Sequence, residues 1–206
     1  MLAAATATRG GGHTTGAFFG HKFNVDEKTL KWAQETFGVD NPFSPLEYEG
    51  RPETTLYMEA MHRAANSFGV CHFNTIHWDL AMSDLPHLAE MYRVATGWDT
   101  SVEELKRKAM MQLNLEKAFN LRFTDFGRKD DFPPPREQHE AIPSGPMAGW
   151  KLDLDGYDRM LSRYYALHGW NPDTGYPTRS TLEGLGLASV ADDLERIGKL
   201  GEETGF

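Results

Sequence analysis

Apolar residues return at helical spacing along most of the chain. From about Pro52 to Phe68, the residues Tyr57, Ala60, Met61, Ala64, Ala65 and Phe68 recur every three or four positions, which puts them on one helix face, and Gly69 stands where a helix commonly ends. A shorter helix is expected over Glu27 to Phe37, stopping before Gly38, with the proline-containing stretch from Asn41 to Gly50 as a connection. Ser83 is placed to cap a helix running to about Ala95, with Leu85, Leu88, Ala89 and Tyr92 inward and Gly97 closing it. Thr100 with Glu103, and Ser101 with Glu104, both have capping-box spacing, and Val102, Leu105, Ala109 and Leu113 continue an apolar stripe to roughly Phe119. Tyr157, Met160, Leu161, Tyr164, Tyr165 and His168 form a further stripe that ends near Gly169, and two short helices are expected after Pro177 and after Ala188.

Two stretches break the pattern. Arg122 to Met147 contains Pro133-Pro134-Pro135, Pro143 and Pro146, so it is expected to be extended and irregular. The first 25 residues are small, Gly- and Thr-rich and aromatic around Arg9-Gly10-Gly11-Gly12-His13; without a helical period they read as a loop that packs against something. No run of alternating residues suggests a sheet, and no segment repeats. The expectation is an all-α, multihelical single domain over residues 1–206.

Composition narrows the function. The chain has 30 acidic against 21 basic residues, a net charge of −9, and no dense basic run to track phosphates, which argues against nucleic acid. No apolar stretch approaches a membrane span and no signal-like segment opens the chain, so a cytoplasmic location is expected. Cys71 is the single cysteine; it excludes an intrachain disulfide and any self-contained thiolate-based zinc or iron–sulfur site. If Cys71 binds metal, the other ligands come from elsewhere. His72 and His77 are five apart, unsuited to a helical zinc pair, and His139-Glu140 lacks the second histidine of a zinc-hydrolase motif. The glycines after Arg9 match neither a dinucleotide fingerprint nor a phosphate loop.

Several segments, in order, resemble one family. Leu115-Glu116-Lys117-Ala118-Phe119-Asn120-Leu121-Arg122, then Gly127-Arg128-Lys129-Asp130-Asp131 and Arg136, resemble a pattern of a helix ending in FN-x-R, a G-R-x-D-D turn and a proline-rich segment. Tyr164-Tyr165, His168-Gly169-Trp170-Asn171, Gly175, Pro177-Thr178 and Leu185-Gly186-Leu187 resemble a closing pattern of YY, GW(D/N), G-x-P-T and LGL, and Ala5-Thr6, Arg9-Gly10 and His13 an AT-x-x-RG-x-x-H segment. These are patterns of the aldehyde:ferredoxin oxidoreductases, tungsten-pterin enzymes. Asn66-Ser67-Phe68-Gly69-Val70-Cys71 is similar to that family's second D-x-x-G-L-C motif, with Asn66 in place of the acidic residue and Val70 in place of leucine.

The resemblance implies the last helical domain of such an enzyme, without the N-terminal β domain, the first pterin motif or the upstream C-x2-C-x3-C run. It implies Cys71 as the fourth thiolate of a [4Fe–4S] cluster, with Arg9, Asn66, Gly69 and Val70 facing a pterin of the tungsten-bispterin cofactor and His13 exchanging a proton with substrate. The implied partners are the missing upstream portion or a complementary subunit, and ferredoxin as electron acceptor; the chain by itself is expected to be inactive. Other readings stand beside these. A lone cysteine is ordinarily a buried small hydrophobe, His13 could be a loop histidine, and Arg122, Arg128, Asp130 and Asp131 read more simply as charges fixing a turn. Tyr164 and Tyr165 read as core rather than a redox relay, and the whole chain could be a non-catalytic helical remnant or binding module with an exposed apolar face.

Overall fold

The computed structural model describes residues 1–12, 15–17, 26–40, 42–44, 46–76 and 83–203. Among them lie nine α-helices: α1 (Leu2–Ala5), α2 (Glu27–Phe37), α3 (Arg51–Phe68), α4 (Leu85–Thr96), α5 (Val102–Phe123), α6 (Pro135–His139), α7 (Leu154–Leu167), α8 (Arg179–Gly184) and α9 (Ala188–Arg196). The described residues contain isolated β-bridges, such as Thr75 with Ser83, but no sheet. The fold is all-α.

Local chemistry sets the ends of the two longest helices. In α3, Pro52 occupies the first turn, where its missing N–H costs nothing, and Gly69 caps the other end at φ 71°. At the start of α5, Ser101 Oγ accepts from the Glu104 N–H at 3.0 Å, and Glu103 and Glu104 place negative charge on the positive end of the helix.

The sequence expectations differ from the structure in a few places. Asp84, not Ser83, caps α4, because its carboxylate accepts from the His87 N–H while Ser83 is engaged by its backbone with Asn74 and Ile76. The opening segment holds one helical turn, α1, whose Leu2 is buried. The irregular stretch carries α6, started by Pro135, and a 3-10 turn at Arg128–Asp131. Helix α5 continues one turn past Phe119 to Phe123.

Packing places α3 at the centre, against α1, α2, α4, α5 and α7. Helix α5 is the spine that joins three apolar clusters. Its Leu105 and Ala109 pack with α2, α3 and α4; its Leu113 packs with Leu2, Leu152, Trp170 and the α7 stripe; its Ala118 and Leu121 pack with α8 and α9. No helix among the described residues is long and apolar enough to cross a membrane.

The outer side of α5 is different. Leu115, Phe119 and Phe123 follow one another at four-residue spacing and stay exposed, Phe119 at 64% and Phe123 at 65%, with their two rings 4.8 Å apart. Because they bury little, replacing both by serine is expected to change unfolding free energy by no more than about 1 kcal/mol, while markedly lowering binding of a hydrophobic dye. Parallel urea titrations and dye fluorescence on the two forms check this.

Candidate functional site

Helix α3 ends in a turn that only glycine tolerates well. Gly69 takes the left-handed conformation, its N–H reaches Asn66 O at 3.1 Å, and the Val70 N–H reaches back to Ala65 O at 2.8 Å. Val70 is half-buried against the first apolar cluster and holds the turn down, so that Cys71 follows it into solvent. The ordinary expectation for a lone cysteine, a buried thiol, is thus not met.

Two neighbours extend this corner. Asn66 Oδ1 accepts from His72 Nε2 at 2.8 Å, and the His72 ring stacks on His62 from α3, with centroids 4.4 Å apart and planes 8° from parallel. Burial pushes His72 below the usual histidine range; a backbone hydrogen bond with His62 opposes this, and the positive charge of Arg9 adds to it. His72 is therefore largely neutral at pH 7, with Nε2 carrying the proton that Asn66 accepts. Arg9, sixty residues distant in sequence, is thereby brought within electrostatic reach of the turn.

The segment that carries Arg9 is tied to α3 and α5 by polar side chains. Glu116 Oε2 accepts from Thr8 Oγ1 at 2.6 Å and from Arg63 Nη2 at 2.7 Å, and Asn120 Nδ2 donates to Thr8 O at 2.6 Å. Beyond the glycines, Arg63 Nη1 donates to Thr15 O at 3.3 Å. The Arg63 side chain is almost wholly buried, at 3% exposure.

Deeper in the molecule, Glu59 from α3 meets the end of α7. Its Oε2 lies 2.7 Å from His168 Nε2, and its Oε1 accepts from the Tyr164 hydroxyl at 2.8 Å. His168 Nδ1 is 2.7 Å from the Tyr164 carbonyl, which can only accept, so Nδ1 carries a proton and a second proton lies between Nε2 and the carboxylate. Burial, with the nearby Glu59 charge, pushes the Tyr164 phenol far above its usual range and keeps it a donor. A second buried group surrounds Asp131: its Oδ2 accepts from the Tyr165 hydroxyl at 2.5 Å and from Lys117 Nζ at 3.2 Å, and its carbonyl accepts from Tyr157. Arg128 holds the same turn by donating to Pro172 O, Asp158 and Ser162. The charges of the G-R-x-D-D turn and the two tyrosines thus serve packing.

Asn66, Gly69, Val70 and Cys71 lie together at the C-terminal end of α3, and the charge of Arg9 is felt at His72 beside them; His13 lies outside the described residues. Sequence reasoning passed over His72 as a neighbour of the turn, although its place next to Cys71 was a signal, and it had none for Glu59, Arg63 or Glu116. Among the described residues no three His, Cys, Asp or Glu side chains converge to hold a metal ion. An exposed thiol on a glycine turn is chemically suited to one corner of an iron–sulfur cluster, and a single cysteine cannot by itself supply the four thiolates such a cluster takes. A cavity of about 520 Å³ is lined by Leu56, Ala60, Met110 and Leu185, on the first half of α3 and roughly 12 Å or more along the helix from Cys71. It is separate from this corner.

The described residues thus form an all-helical unit with one exposed thiol and polar side chains that fix an Arg-Gly segment. The chain belongs to the aldehyde ferredoxin oxidoreductase family: the model for domains 2 and 3 of that family matches residues 1–187. It is similar to the tungsten-containing aldehyde ferredoxin oxidoreductase of Pyrococcus furiosus, 28% identical over 178 residues, which cover 86% of this chain and 28% of that protein. The corresponding protein of Thermococcus kodakarensis is 29% identical over the same shares. The chain therefore spans little more than a quarter of the length of these relatives. In fold it resembles the active site complex BamBC of benzoyl coenzyme A reductase, with a TM-score of 0.72 at 21% identity over 98% of this chain and 32% of the other.

Proposed function

We propose that this chain forms the C-terminal wall of the cofactor site in a tungsten-pterin, [4Fe–4S] oxidoreductase that oxidises aldehydes or a related low-potential substrate and passes electrons to ferredoxin. The observation that supports this best is the exposure of Cys71 on the Gly69 turn, at the place where the family motif carries a cluster ligand. When bound, the cofactors supply the two-electron oxidation and its division into single-electron transfers. This chain's part is to place groups. Cys71 gives one thiolate. The turn of Asn66, Gly69 and Val70 presents an amide and backbone groups to a pterin, and Arg9 brings positive charge to the same corner. His13 exchanges a proton with the substrate carbonyl. Since Asn66 carries no charge and its oxygen already accepts from His72, its Nδ2 is the group free to donate to a pterin ring oxygen or nitrogen.

The remaining ligands come from the upstream portion of the enzyme or from a complementary subunit, and the chain alone is inactive. Anaerobic reconstitution of the isolated chain is expected to give no stable four-iron signal, because one thiolate cannot replace the usual four. Co-expression with an upstream family fragment is expected to give one, and Cys71→Ser to diminish or alter its electron paramagnetic resonance spectrum. A stable cluster on the lone chain, or a complemented cluster indifferent to Cys71→Ser, would refute the reading.

A further inference from the structure

The glycines after Arg9 give its segment great conformational freedom, yet Arg9 has to be held if it is to present charge at a defined place. The structure contains bonds suited to holding it. Thr8, the residue before Arg9, is gripped twice: Glu116 takes its hydroxyl and Asn120 its carbonyl, both at 2.6 Å. Thr15, on the other side of the glycines, gives its carbonyl to Arg63 at 3.3 Å. The two grips are themselves joined, because Arg63 and Glu116 form an ion pair at 2.7 Å. Gln112, one turn before Glu116, donates to its other oxygen at 3.2 Å and fixes the carboxylate plane. The bonded atoms are 48 to 112 residues apart in sequence where they cross between segments, so none follows from local chain geometry.

We propose that Arg63, Glu116 and Asn120 are positioning residues, a clamp that closes both sides of the Arg9 loop and holds Arg9 beside the Asn66–Cys71 turn. This rests on the cofactor-site reading above and adds to it the means by which this wall is set. The polar residues act as a unit. A carboxylate shared by a hydroxyl and a buried guanidinium is fully satisfied, whereas removing it leaves Arg63 buried without its counter-charge and Thr8 without its acceptor. Asn120 contributes a neutral bond from a half-buried helix position, so its removal loosens the loop with less effect on the rest of the fold than loss of the buried ion pair.

Trypsin tests the clamp on the chain itself, since Arg9 is exposed and cleavage after it requires the loop to leave its held conformation. Lys151, exposed in an irregular segment away from the clamp, serves as the internal reference. Glu116→Ala and Asn120→Ala are expected to speed cleavage after Arg9 by about tenfold relative to cleavage after Lys151, with Glu116→Gln, which keeps an oxygen for Thr8, falling between them and wild type. In the enzyme complemented with its upstream portion, Asn120→Ala is expected to raise KM at least threefold or lower kcat by a similar factor while the iron–sulfur spectrum stays intact. Equal acceleration at both sites in folded Asn120→Ala protein, or none at Arg9, would overturn the clamp, as would unchanged kinetics with a freed loop. Failure of wild-type complementation to yield any cluster counts against the cofactor-site reading, and the proteolysis of the chain still decides the clamp.

Discussion

Glu59→Ala is expected to destabilise the chain by about 3–5 kcal/mol, a large share of the 5–15 kcal/mol typical of a whole domain. Glu59 is 2% exposed, and its removal strips a partner from His168 Nε2 and from the Tyr164 hydroxyl at once, with no solvent to replace it. Part of the loss is shape. Gly16 lies so close that a Cβ there would sit 2.7 Å from Glu59 Cγ, so the glutamate stem also fills the space under the opening segment. The paired change Glu59→Leu with His168→Leu removes both polar partners together, and its cost is expected to fall well short of the sum of the single changes. Urea unfolding followed by circular dichroism on the two single variants and the double variant measures the difference; strict additivity would show that the two residues do not act as a pair.

Asp131→Ala has the second large effect. It removes the acceptor of the Tyr165 hydroxyl and the counter-charge of Lys117, whose side chain is 9% exposed and whose ammonium also lies 5.0 Å from the centre of the Trp170 ring. A buried ammonium left without its carboxylate costs about 3–5 kcal/mol. Lys117→Met is milder. It withdraws the cation and keeps an apolar stem against Trp170 and Tyr165, while Asp131 retains the Tyr165 hydroxyl. The expected order of unfolding midpoints is wild type, then Lys117→Met, then Asp131→Ala, and thermal denaturation monitored by the fluorescence of Trp170 and its neighbours checks it. Asp131→Ala matching wild type would mean that the tyrosines and the lysine find other partners.

Helix positions were legible in the sequence wherever one face is apolar and the other wet. Tyr157, Met160, Leu161, Tyr164, Tyr165 and His168 are all buried, as their spacing on α7 requires. The central helix was harder to read. On α3 the residues from Tyr57 to Ala65 are buried without interruption, including Glu59, His62 and Arg63, because neighbours pack on it from several sides. In a periodic reading those three fall on the solvated face. Glu59 and Arg63 meet side chains and carbonyls 48 to 109 residues away, which no local spacing reveals. The family motifs helped where periodicity could not. Gly175, noted only as part of the G-x-P-T pattern, has φ 71°, and a Cβ on it would lie 2.7 Å from Tyr165 Cζ; the motif keeps open a space that the Asp131 network needs.

The Gly69 turn also constrains how this sequence can change in length. Cys71 is aimed by a helix whose middle is fixed by packing on all sides, so one residue inserted between Ala65 and Phe68 would carry the thiol about 100° around the helix axis and some 1.5 Å along it. A loop absorbs such a change; a locked helix passes it on to its tip. Insertions and deletions among descendants of this sequence are therefore expected to gather between residues 140 and 152, where no helix is formed, and to spare the run from Arg51 to Cys71.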